Sequence, residues 1–151
     1  THELPDGQRV VLRGFADRVE LEAPGEVVVI DLKTGKGHPR QADLPEHPQL
    51  ALYQLAVDQG AVREVAGESA RSVGAELWQL RTSKVDGPLK VQRQDPQRRD
   101  EHGWLPIERQ LAHTAAVIRS EEFPATPSDS VCRFCDFRAL CPAQNTPGVI
   151  Q

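Results

Sequence analysis

Methionine is absent from all 151 residues, and so is any apolar run approaching the ~20 residues that a membrane-spanning helix needs. The chain begins at Thr1-His2-Glu3-Leu4 without an initiator and reads as a fragment of a longer polypeptide. No basic stretch followed by an apolar core opens it, so a secretory signal is not expected. Cysteine is limited to three residues, which excludes a disulfide-built scaffold and favours a reducing, cytoplasmic setting. Basic excess is lacking too: 18 Lys and Arg stand against 22 Asp and Glu, a formal net charge of −4. That balance is unusual for a protein that grips a polyanion unaided, although metal ions or a larger assembly can offset it. There is no internal repeat, and Lys33-Thr34-Gly35-Lys36-Gly37 lacks the spacing of a phosphate-binding loop. What remains is enough chain for one domain with a core.

Asp31-Leu32-Lys33 closes the apolar run Val27-Val28-Val29-Ile30 and predicts a buried strand that delivers a carboxylate and an amine to one face. Side chains at i and i+2 of a strand point the same way, roughly 6.6 Å apart. The acid can hold a hard divalent cation, and the ammonium can orient a water or face phosphate charge. Upstream, Arg13-Gly14-Phe15-Ala16-Asp17-Arg18 leads into a reversal at Ala23-Pro24-Gly25-Glu26, so 8–22 and 26–33 read as adjacent antiparallel strands. Such a hairpin brings Asp17 near Asp31, with the register left open. The plainer alternative pairs Asp17 with Arg18 or Arg13 on a solvated face.

Downstream, 47–59 reads as a helix with Pro48 in its first turn. Gln49 and Tyr53 are four apart, hence on one helix face about 6 Å from each other. On spacing alone they read as the edge of a core helix with an amphipathic tyrosine. Residues 60–72 read as a loop, 73–80 and 89–93 as an antiparallel pair joined through Asp86-Gly87-Pro88, and 94–103 as a charged, solvated loop. A helix is expected over 105–122, with Ile107, Leu111, Ala115 and Ile118 as its apolar stripe. Asp6-Gly7 marks a tight turn, so Thr1 to Leu4 reads as an earlier strand.

Cys132, Cys135 and Cys141 form a C-x₂-C-x₅-C pattern with Pro142 following. Thiolates at that spacing suit zinc or an iron–sulfur cluster, both of which usually take four protein ligands. Reduced core thiols, or one Cys pair able to form a disulfide, are the alternatives.

Gly14-Phe15-Ala16-Asp17-Arg18, Asp31-Leu32-Lys33-Thr34-Gly35 and Gln49-Leu50-Ala51-Leu52-Tyr53 occur in the order G-x-x-D-R, D-x-K-T-G, Q-x-x-x-Y. In this the chain resembles the RecB-type nucleases of the PD-(D/E)XK superfamily, and it is similar to the C-terminal nuclease module of actinobacterial helicase–nucleases of the AdnAB type, the AdnB subunit in particular. The resemblance implies an α/β fold: a restriction-endonuclease-like mixed sheet flanked by helices. It implies a nuclease core over 1–125 and a cysteine-rich tail over 126–151 packing on it. It implies a metal-dependent deoxyribonuclease working on single-stranded DNA within an ATP-dependent helicase–nuclease, in DNA end processing, recombination and double-strand-break repair. Asp17 and Asp31 would bind Mg²⁺ or Mn²⁺, Lys33 would assist the attacking water, and Gln49 and Tyr53 would line the DNA-facing side. The tail would hold a 4Fe-4S cluster, or zinc, on Cys132, Cys135 and Cys141. The expected partners are DNA, helicase domains of the same polypeptide and a second subunit, with no membrane.

The family usually carries a histidine ligand before the first acid and a fourth cysteine before the core. Only His2 precedes Asp17 here, and no cysteine does; loss of an N-terminal segment would account for both. Two other readings share these residues: a nuclease-fold module that binds or scaffolds DNA without cutting it, and a small metal-ribbon domain organised by the three cysteines.

Overall fold

The first ten residues fold back on themselves. In the computed structural model, which describes residues 1–81 and 89–143, β1 (His2–Glu3) pairs antiparallel with β2 (Arg9–Val10). Gly7 (φ 81°) takes the left-handed turn position between them, with its N–H on Leu4 O at 2.8 Å. The single strand expected over 8–22 does not form. Residues 11–17 are irregular, and β3 runs over Arg18–Ala23. Val10 is committed to His2, and Asp17 turns its carboxylate onto the backbone N–H of Leu32 at 2.8 Å.

The expected hairpin follows. Pro24 and Gly25 (φ 76°) make the reversal into β4 (Glu26–Lys33), and Arg18 lies opposite Ile30, Glu20 opposite Val28. Next come a 3-10 turn over Gln41–Glu46, α1 (Pro48–Asp58) and α2 (Arg63–Ala66). Then β5 (Arg71–Gln79) runs parallel to β4, and β6 (Lys90–Gln94) pairs antiparallel with β5. The sheet is mixed, in the order β3-β4-β5-β6. The loop expected over 60–72 therefore contains α2 and the start of β5. Four helical residues are too few to show a period, but Val62, Ala66 and Ala70 pack on Val27, Val29 and Val57. Asp86-Gly87-Pro88, the expected β5–β6 turn, lies outside the described residues.

β4 is unbroken in its apolar pattern because both of its faces are covered. Val27, Val29, Asp31 and Lys33 face α1 by the period of two. Behind them Leu50 joins Leu44, Ala75 and Leu77 in one cluster, and Val57 joins Val27 and Val29 in another. On the opposite face Val28 and Ile30 are buried beside long charged and aromatic cross-strand neighbours. There Arg93 pairs with Glu22 and Glu76, Trp78 Nε1 donates to Glu76 Oε2 at 2.7 Å, and the Arg18 guanidinium lies 5.3 Å from the Trp78 ring centre. Gly74 (φ 137°) serves the ladder's irregularity: a Cβ there would stand 2.9 Å from Gln94 O and 3.2 Å from the Arg93 guanidinium.

The last long helix, α3 (Pro106–Ser120), opens with Pro106 at its first position. The carboxylate of Glu108, three residues after Leu105, accepts from the Leu105 N–H at 2.9 Å, the carboxylate half of an N-terminal capping box. Glu108 also takes His2 Nε2 at 2.7 Å and Arg99 Nη1 at 2.8 Å. The expected apolar stripe is buried only at its start. Ile107 sits with Ala51 and Leu55, with Leu111 against them, whereas Ile118 is 60% exposed. Glu121 (φ 55°) breaks the helix before the prolines do.

The chain divides into two compact units, Thr1–His113 and Thr114–Gln151. In the second, Ser128 Oγ caps α4 (Asp129–Cys132) by accepting from Val131 N at 3.3 Å, and a 3-10 turn follows at Arg138–Leu140. Among the described residues no helix is long and apolar enough to cross a membrane.

Candidate active site

Two elements of the first unit build the site, and uncharged amides on the sheet hold the connection between them. β4 carries Asp31 and Lys33; α1 carries Gln49 and Tyr53. The segment joining them passes over β5 and β6, which offer glutamine side chains where an apolar face would be expected. Gln79 donates to Gly35 O, Gln92 Nε2 to Pro39 O at 3.0 Å, and Gln94 Nε2 to Leu44 O at 2.6 Å and His47 O at 3.2 Å. Gln54, from α1, donates to Gln94 Oε1 at 2.8 Å. A segment with few backbone partners of its own is thereby satisfied by buried amides, as buried carbonyls require. None of these glutamines was singled out from sequence, because a lone Gln in a strand carries no pattern.

Of the five residues expected at the site, Asp31, Lys33, Gln49 and Tyr53 are bonded to one another. Asp31 is 3% exposed. Its Oδ1 accepts from Gln49 Nε2 at 2.7 Å and from the Tyr53 hydroxyl at 3.3 Å. Its Oδ2 lies 2.7 Å from Lys33 Nζ, outside hydrogen-bonding geometry, and has no hydrogen-bond donor. Lys33 Nζ donates instead to Gln49 Oε1 at 2.8 Å. The Tyr53 hydroxyl accepts from Gln49 Nε2 at 3.1 Å and shares its one proton between Asp31 Oδ1 and Phe15 O, the latter 3.2 Å away, which ties the loop before Asp17 to α1. Asp17, just beyond the Arg18–Ile30 pair, is exposed and reaches Leu32 N. The competing pairing of Asp17 with Arg18 or Arg13 does not occur: Arg18 pairs with Glu20 and stacks on Trp78.

Burial pushes the Tyr53 phenol above its ordinary range, against the hydrogen bond from Gln49, and the negative charges of Asp31 and Asp17 push upward as well. The hydroxyl therefore stays a donor through neutral pH. His47, which precedes Pro48 at the start of α1, was not picked out from sequence. Burial, aided by the charge of Lys33 and opposed by Asp31, holds its imidazole below the usual histidine range, and its Nδ1 is enclosed without a partner. His2, the one histidine before Asp17, is spent elsewhere, on Glu108.

A hard cation fits this donor set. Among the described residues no three His, Cys, Asp or Glu side chains are grouped to hold a metal ion. Mg²⁺ usually keeps several waters and takes one or two carboxylates beside phosphate oxygens, which Asp31 and Asp17 would supply. Asp31 Oδ2, enclosed and held only by its ion pair with Lys33, is the carboxylate oxygen that a cation would take. In the tail, Cys132, Cys135 and Cys141 are free, half-buried thiols, and three thiolates alone leave a four-ligand site one short.

Comparison with known proteins adds one match. The family model of the PD-(D/E)XK nuclease superfamily covers residues 1–142. No curated protein matches the chain.

Proposed function

The chain belongs to the PD-(D/E)XK nuclease superfamily, and from that premise we propose that it hydrolyses phosphodiester bonds in DNA, single-stranded DNA foremost, with Mg²⁺ or Mn²⁺ held by Asp17 and Asp31. The observation that carries this reading is the bonded set Asp31–Gln49–Lys33–Tyr53, assembled from two elements with Asp17 one residue beyond the hairpin ladder. A cation held by Asp17 and Asp31 would supply positive charge to a phosphate oxygen and lower the pKa of a water. The chain's residues do the rest. Gln49 orients the Asp31 carboxylate and the Lys33 ammonium at once. Lys33, 36% exposed, faces the incoming phosphate and steadies the water that attacks it. Tyr53 holds the Gly14–Asp17 loop at the mouth.

The further setting of this activity follows the family resemblance. We place the chain as the nuclease module of a cytoplasmic helicase–nuclease of the AdnB type, engaged in DNA end processing and double-strand-break repair. A motor in the same polypeptide and a second subunit would feed the strand. The net charge of −4 supports that reliance on a partner's basic surface. The tail would hold 4Fe-4S or zinc on Cys132, Cys135 and Cys141 with a fourth ligand from outside these three, which metal analysis of the purified protein checks.

The deciding experiment is cleavage of end-labelled single-stranded DNA in Mn²⁺ by the wild type, Asp31→Ala and Lys33→Ala. Loss of cutting in both folded variants is expected. Cutting at the wild-type rate by folded Asp31→Ala removes the assignment, and a folded wild type that binds but never cuts favours a non-catalytic DNA-binding module.

A further inference from the structure

A groove of about 860 Å³ opens beside the acid site. Its walls include Leu12, Leu52, Ala56 and Val62, and Gln49 and Tyr53 line it as well, so it is continuous with the place where the scissile phosphate would lie. Phe15 borders it with 95% of its surface exposed. Together with Val11, itself 62% exposed, and the aliphatic walls, Phe15 makes a contiguous exposed apolar patch, the kind of surface that marks a binding site. Its backbone is not loose: Phe15 O accepts from the Tyr53 hydroxyl at 3.2 Å. The ring is therefore presented from a position fixed to the catalytic set.

We propose that this groove is a subsite for an unpaired nucleobase, with Phe15 as the platform on which the base stacks. The inference rests on the nuclease reading and deepens it. A phosphate would find no partner on the aliphatic walls, whereas a flat base has apolar faces to bury and polar edges to offer. Gln49 and Tyr53 stand at the polar end, and Arg13 lines the groove where a neighbouring phosphate of the same strand would pass. The volume lies in the range of about 300–1,000 Å³ typical of small-molecule pockets, enough for a base with its sugar. A duplex cannot fill the groove without unpairing, because its base faces are already stacked. The groove thus selects the single strand by shape, and the subsite is sequence-tolerant because every base has a π-face.

The test measures binding and cutting separately, on an oligonucleotide of about 12 nucleotides. Binding is read by fluorescence anisotropy in Ca²⁺, and cutting by steady-state kinetics in Mn²⁺. Phe15→Ala is expected to raise Kd and KM by about 10-fold, within the 1–3 kcal/mol of a base–aromatic stack, with kcat nearly unchanged; Phe15→Trp is expected to restore both. A single abasic nucleotide, walked along the strand, should weaken wild-type binding by a similar factor at one position and add nothing to Phe15→Ala. Unchanged Kd in Phe15→Ala overturns the subsite while leaving the nuclease standing if cutting persists. Binding that depends on Phe15 without any cutting upholds the subsite and removes the nuclease. A dimer abolished by Leu52→Glu, with DNA binding untouched, would give the groove to a second copy of the chain and also overturn the proposal.

Discussion

Gln49 bridges Asp31 and Lys33 with a single amide: its nitrogen donates to the carboxylate at 2.7 Å while its oxygen accepts from the ammonium at 2.8 Å. The amide cannot flip without placing oxygen against oxygen and nitrogen against nitrogen, so the two charged partners fix its orientation and it fixes theirs.

Gln49→Glu tests that coupling, because the substitution keeps the shape but removes the donor. Two carboxylates would then meet near Asp31, and like charges raise the pKa of the pair. Cleavage at neutral pH is expected to fall about 10-fold or more, the equivalent of one lost charge-assisted hydrogen bond. The deficit should narrow as pH drops and a shared proton returns the donor. A pH–rate profile parallel to that of the wild type would contradict it.

Tyr53 is the chain's single tyrosine, so an ultraviolet titration of phenolate reads it alone. Burial first, then the charges of Asp31 and Asp17, push its pKa upward; the midpoint should lie above the ordinary phenol value of about 10. Asp31→Asn should bring it only part of the way back, since burial is the larger cause.

Cation binding should show as stability. Mn²⁺ at about 100 times its Kd should stabilise the fold by about 2.7 kcal/mol, seen as a higher thermal midpoint that EDTA reverses. Asp31→Ala should abolish the shift, and a shift of equal size in that variant would move the ion elsewhere.

Glu108 joins the chain's first strand to α3 through His2 and Arg99. Burial raises its pKa, but hydrogen bonds from the Leu105 amide, Arg99 and His2 outweigh that and leave it lowered. A carboxylate depressed in the folded state contributes stability above its ordinary range of about 4.3, and that contribution is lost as pH falls below it. Glu108→Gln should cost about 2 kcal/mol at neutral pH and flatten the acid limb of urea midpoints collected across that range.

Much of this was legible from spacing. The i, i+2 pair Asp31 and Lys33, the i, i+4 pair Gln49 and Tyr53 and the Pro24-Gly25 reversal are consequences of strand and helix periods and turn chemistry, while the mixed sheet was implied by the family resemblance. What escaped were features set by long-range contacts. The strand expected over 8–22 breaks because Asp17 finds Leu32 N–H, a bond no local pattern announces. Helix α2 is too short for a period, and the stripe on α3 runs on past the point where its burial ends. The half-burial of His47 depends on where the segment before α1 is tied, and that is decided by Gln94, 47 to 50 residues downstream.

Those glutamine ties have an electrical consequence. The frame around the acids carries no net charge, so it adds nothing to the local potential that a cation and a polyanion must share, and ionic strength has little purchase on it. The far side of the same sheet is built the opposite way, from Arg93, Glu22, Glu76 and Arg18 near the surface. Salt should therefore screen the back of the sheet and weaken the grip on DNA while leaving the spacing of Asp31, Lys33 and Gln49 where it is.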